Sequence, residues 1–455
     1  MRNKILLIAS IVGHLSVQAQ TAQLSTGTPG ITEYFSDAKW DASDGSTINV
    51  GAIGTSGVGN GSDCYIVKLD AAKQMVWQKT ISNAGDDYFS RVIRCNNGDY
   101  VVVGKFVRVG KPRGFICRIS SAGILLWSMS SQNTASANGD FFDAAHELTN
   151  GNIAVVGATN IGGGTANGII VMLNSAGTQQ WGRIVNYAST DEMLTVSQLP
   201  SGNLIIAGTL YMSSRYKTLI VEMNPTTAAI ISQNEYHIAT SVTGINTNIN
   251  TMWPINSAVA SGNFYLVAVN CTGFTPNVNN PVSVNVYNPS TKVVTSSLFY
   301  HAGLATASGF YVSVNGANDY ISSFSYGTTN SLVSRIISGS VSFSRKVDNN
   351  TVGIIQRTHI NGSNLYLCGQ TQANDAYAGY STTSLPLSST PCNITTASTL
   401  QVTAPAITRT VNSTGFLTAN AVMTSAVVSL TNTTGVVTNI CGLIPCIQKI
   451  VLEPY

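Results

Sequence analysis

The sequence predicts an all-β chain folded as a seven-bladed β-propeller of four-stranded blades, and three observations carry that expectation. A tight turn closed by glycine returns at near-constant spacing. A β-branched strand follows each turn, and a second alternating strand then leads into a tryptophan-bearing one. The turn glycines are Gly45, Gly98, Gly151, Gly202, Gly262, Gly316 and Gly362, separated by 53, 53, 51, 60, 54 and 46 residues. Glycine reaches the positive φ angles of hairpin turns at little steric cost, which is why it recurs there.

The strands after the first four turns align without gaps: 46–51 (STINVG), 99–104 (DYVVVG), 152–157 (NIAVVG) and 203–208 (NLIIAG). Each reads as closing on a glycine, the last three being Gly104, Gly157 and Gly208. The next strands are 64–70 (CYIVKLD), 115–119 (FICRI), 169–174 (IIVMLN), 219–224 (LIVEMN), 284–288 (VNVYN) and 332–336 (LVSRI). Trp77, Trp127 and Trp181 recur beyond the first three of these, as bulky residues expected to pack between blades. Asp87, Asp140 and Asp191 each precede their strand-closing glycine by 17 residues, where aspartate is suited to bonding backbone N–H groups at a turn. Period-2 alternation with frequent turns excludes helices, and a four-stranded unit must stack on neighbours to bury both faces.

Arg2 and Lys4 before the apolar run 5–12 predict a secretory signal peptide cleaved near Ala19. The expected layout is residues 1–19 as leader, 20–391 as propeller and 392–455 as a C-terminal β-rich extension. Localisation would be secreted or at the outer cell surface, with no transmembrane segment. Charged residues are only 9% of the chain, and a net charge of +3 without a basic cluster excludes nucleic acid as a partner. Eight cysteines permit disulfides in an oxidising compartment; Cys441 and Cys446 are close enough to close a small loop, while Cys95, Cys117 and Cys368 read equally well as small buried hydrophobes. Ring closure is open between residues 23–32 and part of 393–410.

Residues 63–104 (DCYIVKLDAAKQMVWQKTISNAGDDYFSRVIRCNNGDYVVVG) resemble the β-propeller repeat of bacterial secreted and surface proteins, and the Asn/Thr/Ser-rich units look like surface proteins of the Bacteroidetes. The usual glycine and asparagine-proline pattern of a type IX sorting domain is absent from 393–455. The turn 68–77 is similar to the tryptophan-docking motif of quinoprotein dehydrogenases, but no adjacent cysteines accompany it. The acidic spacing of a calcium loop is missing, with Asp41, Asp44 and Gly45 nearest, and the histidines lack zinc-ligand spacing, so neither cofactor nor metal is expected.

For glycosidase chemistry a propeller must present two carboxylates to one another in its channel. Asp87, Glu147, Asp191, Glu192 and Glu222 are available, but nothing in the sequence brings any pair together. The leading expectation is therefore a secreted or cell-surface binding or adhesion scaffold for a protein or glycan ligand, with no catalytic residue assigned. A carbohydrate-active hydrolase or lyase using channel carboxylates is the first alternative. A surface-assembly component, with the C-terminal segment as its polymerising or anchoring element, is the second.

Overall fold

The computed structural model describes residues 22–441, except 28–30, 55–60, 83–84, 109, 132–138, 160–165, 187–189, 213–214, 239–252, 261, 270–281, 301–306, 317–318, 327–329, 338–339, 349–351, 362–363, 372–375, 383–393, 397–400, 404–406, 412–422, 426–430 and 433–435. Among the described residues there is no helix, and the strands form seven antiparallel sheets.

The first sheet comprises Glu33–Trp40, Thr47–Ile53, Asp63–Leu69 and Met75–Ile81, and the second Tyr88–Arg94, Tyr100–Arg108, Lys111–Ile119 and Leu125–Ser131. The third holds Asp140–Glu147, Ile153–Thr159, Asn167–Leu173 and Gln179–Val185; the fourth Asp191–Gln198, Leu204–Met212, Arg215–Met223 and Ile230–Ile238. Trp253–Ala260, Asn263–Val269, Val282–Asn288 and Val293–Tyr300 form the fifth, and Ala307–Gly316, Asp319–Tyr326, Asn330–Ile337 and Ser340–Asp348 the sixth. In the seventh, Val352–Asn361, Asn364–Thr371 and Ala376–Thr382 take their fourth strand, Ala22–Gly27, from the start of the chain.

The burial pattern explains why these residues form stacked sheets. In the third sheet every residue of Ile153–Thr159 and Asn167–Leu173 is buried, whereas the outer strand Gln179–Val185 alternates. Strands covered on both faces read as near-continuous apolar runs, and these middle strands are covered by the sheets on either side. The cores lie between sheets: Ile48, Val50 and Ile66 of the first pack with Phe89, Val102 and Phe115 of the second, and Phe35, Tyr65 and Val67 pack with Tyr366, Ala378 and Tyr380 of the seventh. A 2.8 Å bond between Thr47 Oγ1 and the Tyr380 hydroxyl crosses that last junction. The first strand of each sheet touches the first strand of the next, and Val352–Asn361 returns to Glu33–Trp40. This closed cycle of four-stranded units is consistent with a β-propeller.

Both ends of the chain complete the sheets. Closure uses Ala22–Gly27, so of the two candidate segments it is the N-terminal one that completes the last unit. In the C-terminal extension Ile394–Thr396, Gln401–Thr403, Ile407–Val411, Met423–Ser425, Thr431–Asn432 and Val436–Cys441 pair with the outer strands of the sixth, fifth, fourth, second, first and seventh sheets in turn. They run around the outside against the order of the sheets. Unpaired edge strands expose N–H and C=O groups, and the fifth strands satisfy them.

Candidate active site

The site begins with a backbone irregularity shared by the first strands. In each of the seven, pairing with the second strand skips a residue at an equivalent place, Ser36, Ser90, Asp143, Leu194, Ile255, Gly309 and Gln356, and the sixth and seventh skip a second residue elsewhere. Such a bulge leaves its extra residue outside the ladder and re-aims the side chain. It also turns a carbonyl toward the second strand. A Cβ on Gly51, Gly104, Gly157 or Gly208 would come within 1.9, 2.0, 2.0 and 2.2 Å of the carbonyl oxygens of Tyr34, Tyr88, Phe141 and Glu192. These glycines therefore sit opposite the bulge, and Tyr100–Arg108 and Leu204–Met212 continue past Gly104 and Gly208 rather than closing on them.

At the bulge the sheets differ in chemistry. Ser36 donates its hydroxyl to the Phe89 carbonyl and Ser90 to the Phe142 carbonyl at 2.7 Å, so each serine ties its sheet to the next. Asp143 stands at the same position in the third sheet, and its Oδ2 is buried without a hydrogen-bond partner. Burial raises the Asp143 pKa well above the ordinary carboxylate value, and the charge of Glu192 raises it further, outweighing the opposing pull of Arg91. Arg91 Nε donates to the Asp143 backbone carbonyl at 3.0 Å. Burial raises Glu192 as well. Poor solvation disfavours the charged form of both carboxyls, and the charge of Glu192 adds to that effect on Asp143. Tyr34, Tyr88 and Phe141 occupy the strand position of Glu192 in the first three sheets, and the Tyr88 hydroxyl, already pushed up by burial, also feels both carboxyls.

Asp37 lies one residue beyond the bulge in the first sheet and behaves oppositely. Burial would raise it, but the charge and hydrogen bond of His359, with Lys39 and Arg91, hold its pKa below the usual range. His359 Nε2 lies 2.7 Å from Asp37 Oδ1, Arg357 Nε 3.4 Å from the same oxygen, and the Val92 amide donates to Oδ2 at 2.9 Å. The first strands therefore hold one carboxyl whose pKa is lowered and two whose pKa is raised, the division of labour that acid–base catalysis requires.

The residues singled out in the sequence lie elsewhere. Asp87, Asp140 and Asp191 are buried at the starts of the first strands. Asp87 Oδ1 accepts from the Val107 amide at 2.6 Å; Asp140 binds Ser131 Oγ of the preceding sheet at 2.5 Å and Thr159 Oγ1 at 2.6 Å; the Asp191 amide donates to the Ala166 carbonyl at 2.9 Å. Trp77, Trp127 and Trp181 donate from Nε1 to the carbonyls of Ser121, Ser175 and Pro225 in the following sheet at 3.2, 3.1 and 2.8 Å. Cys95, Cys117 and Cys368 are buried free thiols; Cys441 ends the last described strand, and Cys446 lies outside the described residues.

Of the five candidate carboxylates only Glu192 belongs to this pair. Asp87 and Asp191 occupy the strand starts just described, Glu147 accepts from the Asn96 amide at 2.6 Å, and Glu222 is held by Asn203 and Lys292. Asp143 was missed, although aligning EYFSDAKW, DYFSRVIR and DFFDAAHE sets it under Ser36 and Ser90.

No protein-family model and no curated protein matches the chain. Among solved structures it is similar, at 10% identity and a TM-score of 0.27, to one described as a member of the GH130 family of mannoside phosphorylases containing glycoside hydrolases that target β-1,2 mannosidic linkages in Candida mannan. It is also similar, at 9% identity and a TM-score of 0.27, to a glycosyl hydrolase from Bacteroides ovatus. Each match spans 58% of this chain and 86% of the other, and neither transfers a residue or an activity to it. The expected binding or adhesion scaffold is corrected to this extent: the two solved structures just described are glycosyl hydrolases by their descriptions, as in the first alternative, and neither is described as a binding or adhesion protein.

Proposed function

We propose that this chain is an exported seven-bladed propeller enzyme that cleaves a glycosidic bond at its axis, with Asp143 and Glu192 as the reacting carboxyl pair. The observation that carries this reading is the buried, unpartnered Oδ2 of Asp143, whose acidity the charge of Glu192 lowers further. An unsatisfied buried polar group costs about 1–3 kcal/mol, and a serine at the same position ties two other sheets together. A carboxyl that weakens the fold at a site of perturbed acidity supports a chemical role. The protonated member of the pair delivers its proton to the leaving oxygen, while its ionised partner either activates water or attacks the anomeric carbon. The half-buried rings of Tyr34, Tyr88 and Phe141 offer flat apolar surface to a sugar.

The test is turnover of a panel of neutral and acidic oligosaccharides by the mature protein and by D143N and E192Q. Reducing ends should appear with the wild type, and each variant should lose about 10²–10⁴-fold in kcat. No turnover across the panel, or variants as fast as the wild type, would overturn the proposal.

A further inference from the structure

Where the first and seventh sheets meet, an amine, an imidazole and a carboxylate stand in line. Asp37 and Lys39 come from Glu33–Trp40, and His359 from Val352–Asn361. His359 Nε2 is 2.7 Å from Asp37 Oδ1, and its Nδ1 is 3.4 Å from Lys39 Nζ. The Val92 amide of the second sheet donates to Asp37 Oδ2 at 2.9 Å, and Arg357 Nε lies 3.4 Å from Oδ1, so the carboxylate is fixed from both sides.

This order of groups sets the tautomer. A carboxylate only accepts, so Nε2 carries the hydrogen of the Asp37 bond and the Nδ1 lone pair faces the Lys39 amine. Burial and then Lys39 lower the His359 pKa, outweighing Asp37, which favours the neutral, proton-accepting imidazole. Burial lowers Lys39 too, and Arg91 adds to it, against the lift from Asp37 and Cys368. The architecture does not demand this line: at the strand position shared by Lys39 and His359, the second sheet has Ile93 and the fourth Ser197. Both Lys39 and His359 are only half-buried, the His359 side chain keeping 16% of its surface exposed, so the pair is not sealed from a small molecule.

We propose that Lys39 is the nucleophile of a second reactive site, an amine that condenses with a small aldehyde to an imine, with His359 as its base and Asp37 positioning the imidazole. A nucleophile near hydrogen-bond reach of a base that a third group orients is the arrangement activated nucleophiles share. The amine nitrogen bonds to the carbonyl carbon as the C=O π pair moves to oxygen. His359 Nδ1 takes one amine proton and returns it to that oxygen, giving a carbinolamine. The second amine proton follows the same route, the C–O bond breaks, and water leaves as the C=N bond forms. This site does not depend on the carboxyl pair.

Lys73 supplies an internal control. It is also half-buried, burial lowers its pKa to about 8, and it crosses the same junction, yet its Nζ faces the Tyr380 ring at 4.3 Å and the Gly45 carbonyl at 3.4 Å rather than an imidazole. The experiment incubates the protein with glycolaldehyde, traps imines with cyanoborohydride and follows each lysine's adduct by peptide mass mapping. Lys39 should react at least about tenfold faster than Lys73, a modest share of what a positioned base contributes. H359Q and D37N should each slow Lys39 about tenfold or more and leave Lys73 unchanged, because Lys73 reports the packing of that junction. Lys39 reacting no faster than Lys73 overturns the inference. Variants that shift both lysines together, or neither, overturn it as well and reduce the trio to a structural tie. If a variant does not fold, the wild-type ratio of Lys39 to Lys73 decides alone.

Discussion

Gly157 and Gly151 lie six residues apart in one sheet and need to be glycine for different reasons. Gly151 turns the hairpin at a φ of +81° with open space around its missing side chain, whereas a Cβ on Gly157 would meet the Phe141 carbonyl at 2.0 Å. Gly151→Ala should cost about 1 kcal/mol of backbone strain. Gly157→Ala must displace a first-strand carbonyl and should cost about 3 kcal/mol or more, or abolish folding; urea denaturation of the two variants checks the order. Asp143→Ser gives a second prediction at this scale. It removes the unpartnered oxygen and restores the tie made by Ser36 and Ser90, so it should stabilise the fold by about 1–2 kcal/mol while abolishing turnover. A third concerns acid. Burial works to raise Asp41, but hydrogen bonds from Arg94 and Ser43 outweigh it and bring its pKa to about 2. A depressed folded pKa gives stability that is fully present above the ordinary carboxylate value and lost as pH falls through about 2. Melting curves of the wild type and D41N should therefore differ at neutral pH and converge in that acid window.

At the scale of elements, legibility followed periodicity. The turn glycines, the doubly buried second and third strands and the tryptophan strands announce themselves because each repeats one local chemistry. Trp127 illustrates it: the ring packs on Gly177, and Nε1 donates to Ser175 in the next sheet's outer turn. Trp127→Phe should cost about 1 kcal/mol, the net value of that bond, by the same denaturation assay. The first strands were harder to read, because the bulge breaks the two-residue period and flips the face of every residue beyond it. That is why Asp143 escaped notice while Glu192, one residue before the Gly208-paired Met193, could be included among the candidates. The C-terminal strands carry almost no signal of their own; they are 2 to 6 residues long and draw their pairing from edges already built.

For the whole molecule, the two ends of the chain do different work. Ala22–Gly27 joins first and last sheets, and the C-terminal strands cover outer edges of six sheets, leaving Gln179–Val185 of the third without such a strand among the described residues. A chain cut near Pro391 should thus melt lower than the intact chain and associate through its bared edges, as size-exclusion chromatography would show. The reading of the C-terminal segment as a polymerising element expected the reverse, with only the intact chain associating. Over the same ring, the first strands divide their polar groups between ties from sheet to sheet and carboxyls of opposite acidity. The most direct test of that division is a side-chain carboxyl NMR titration of the intact protein, with D143N assigning one resonance and D37N the other. Asp143 should stay protonated well above the ordinary carboxylate range while Asp37 ionises below it; the two titrating together within that range would contradict the assignment of the axis as an acid–base site.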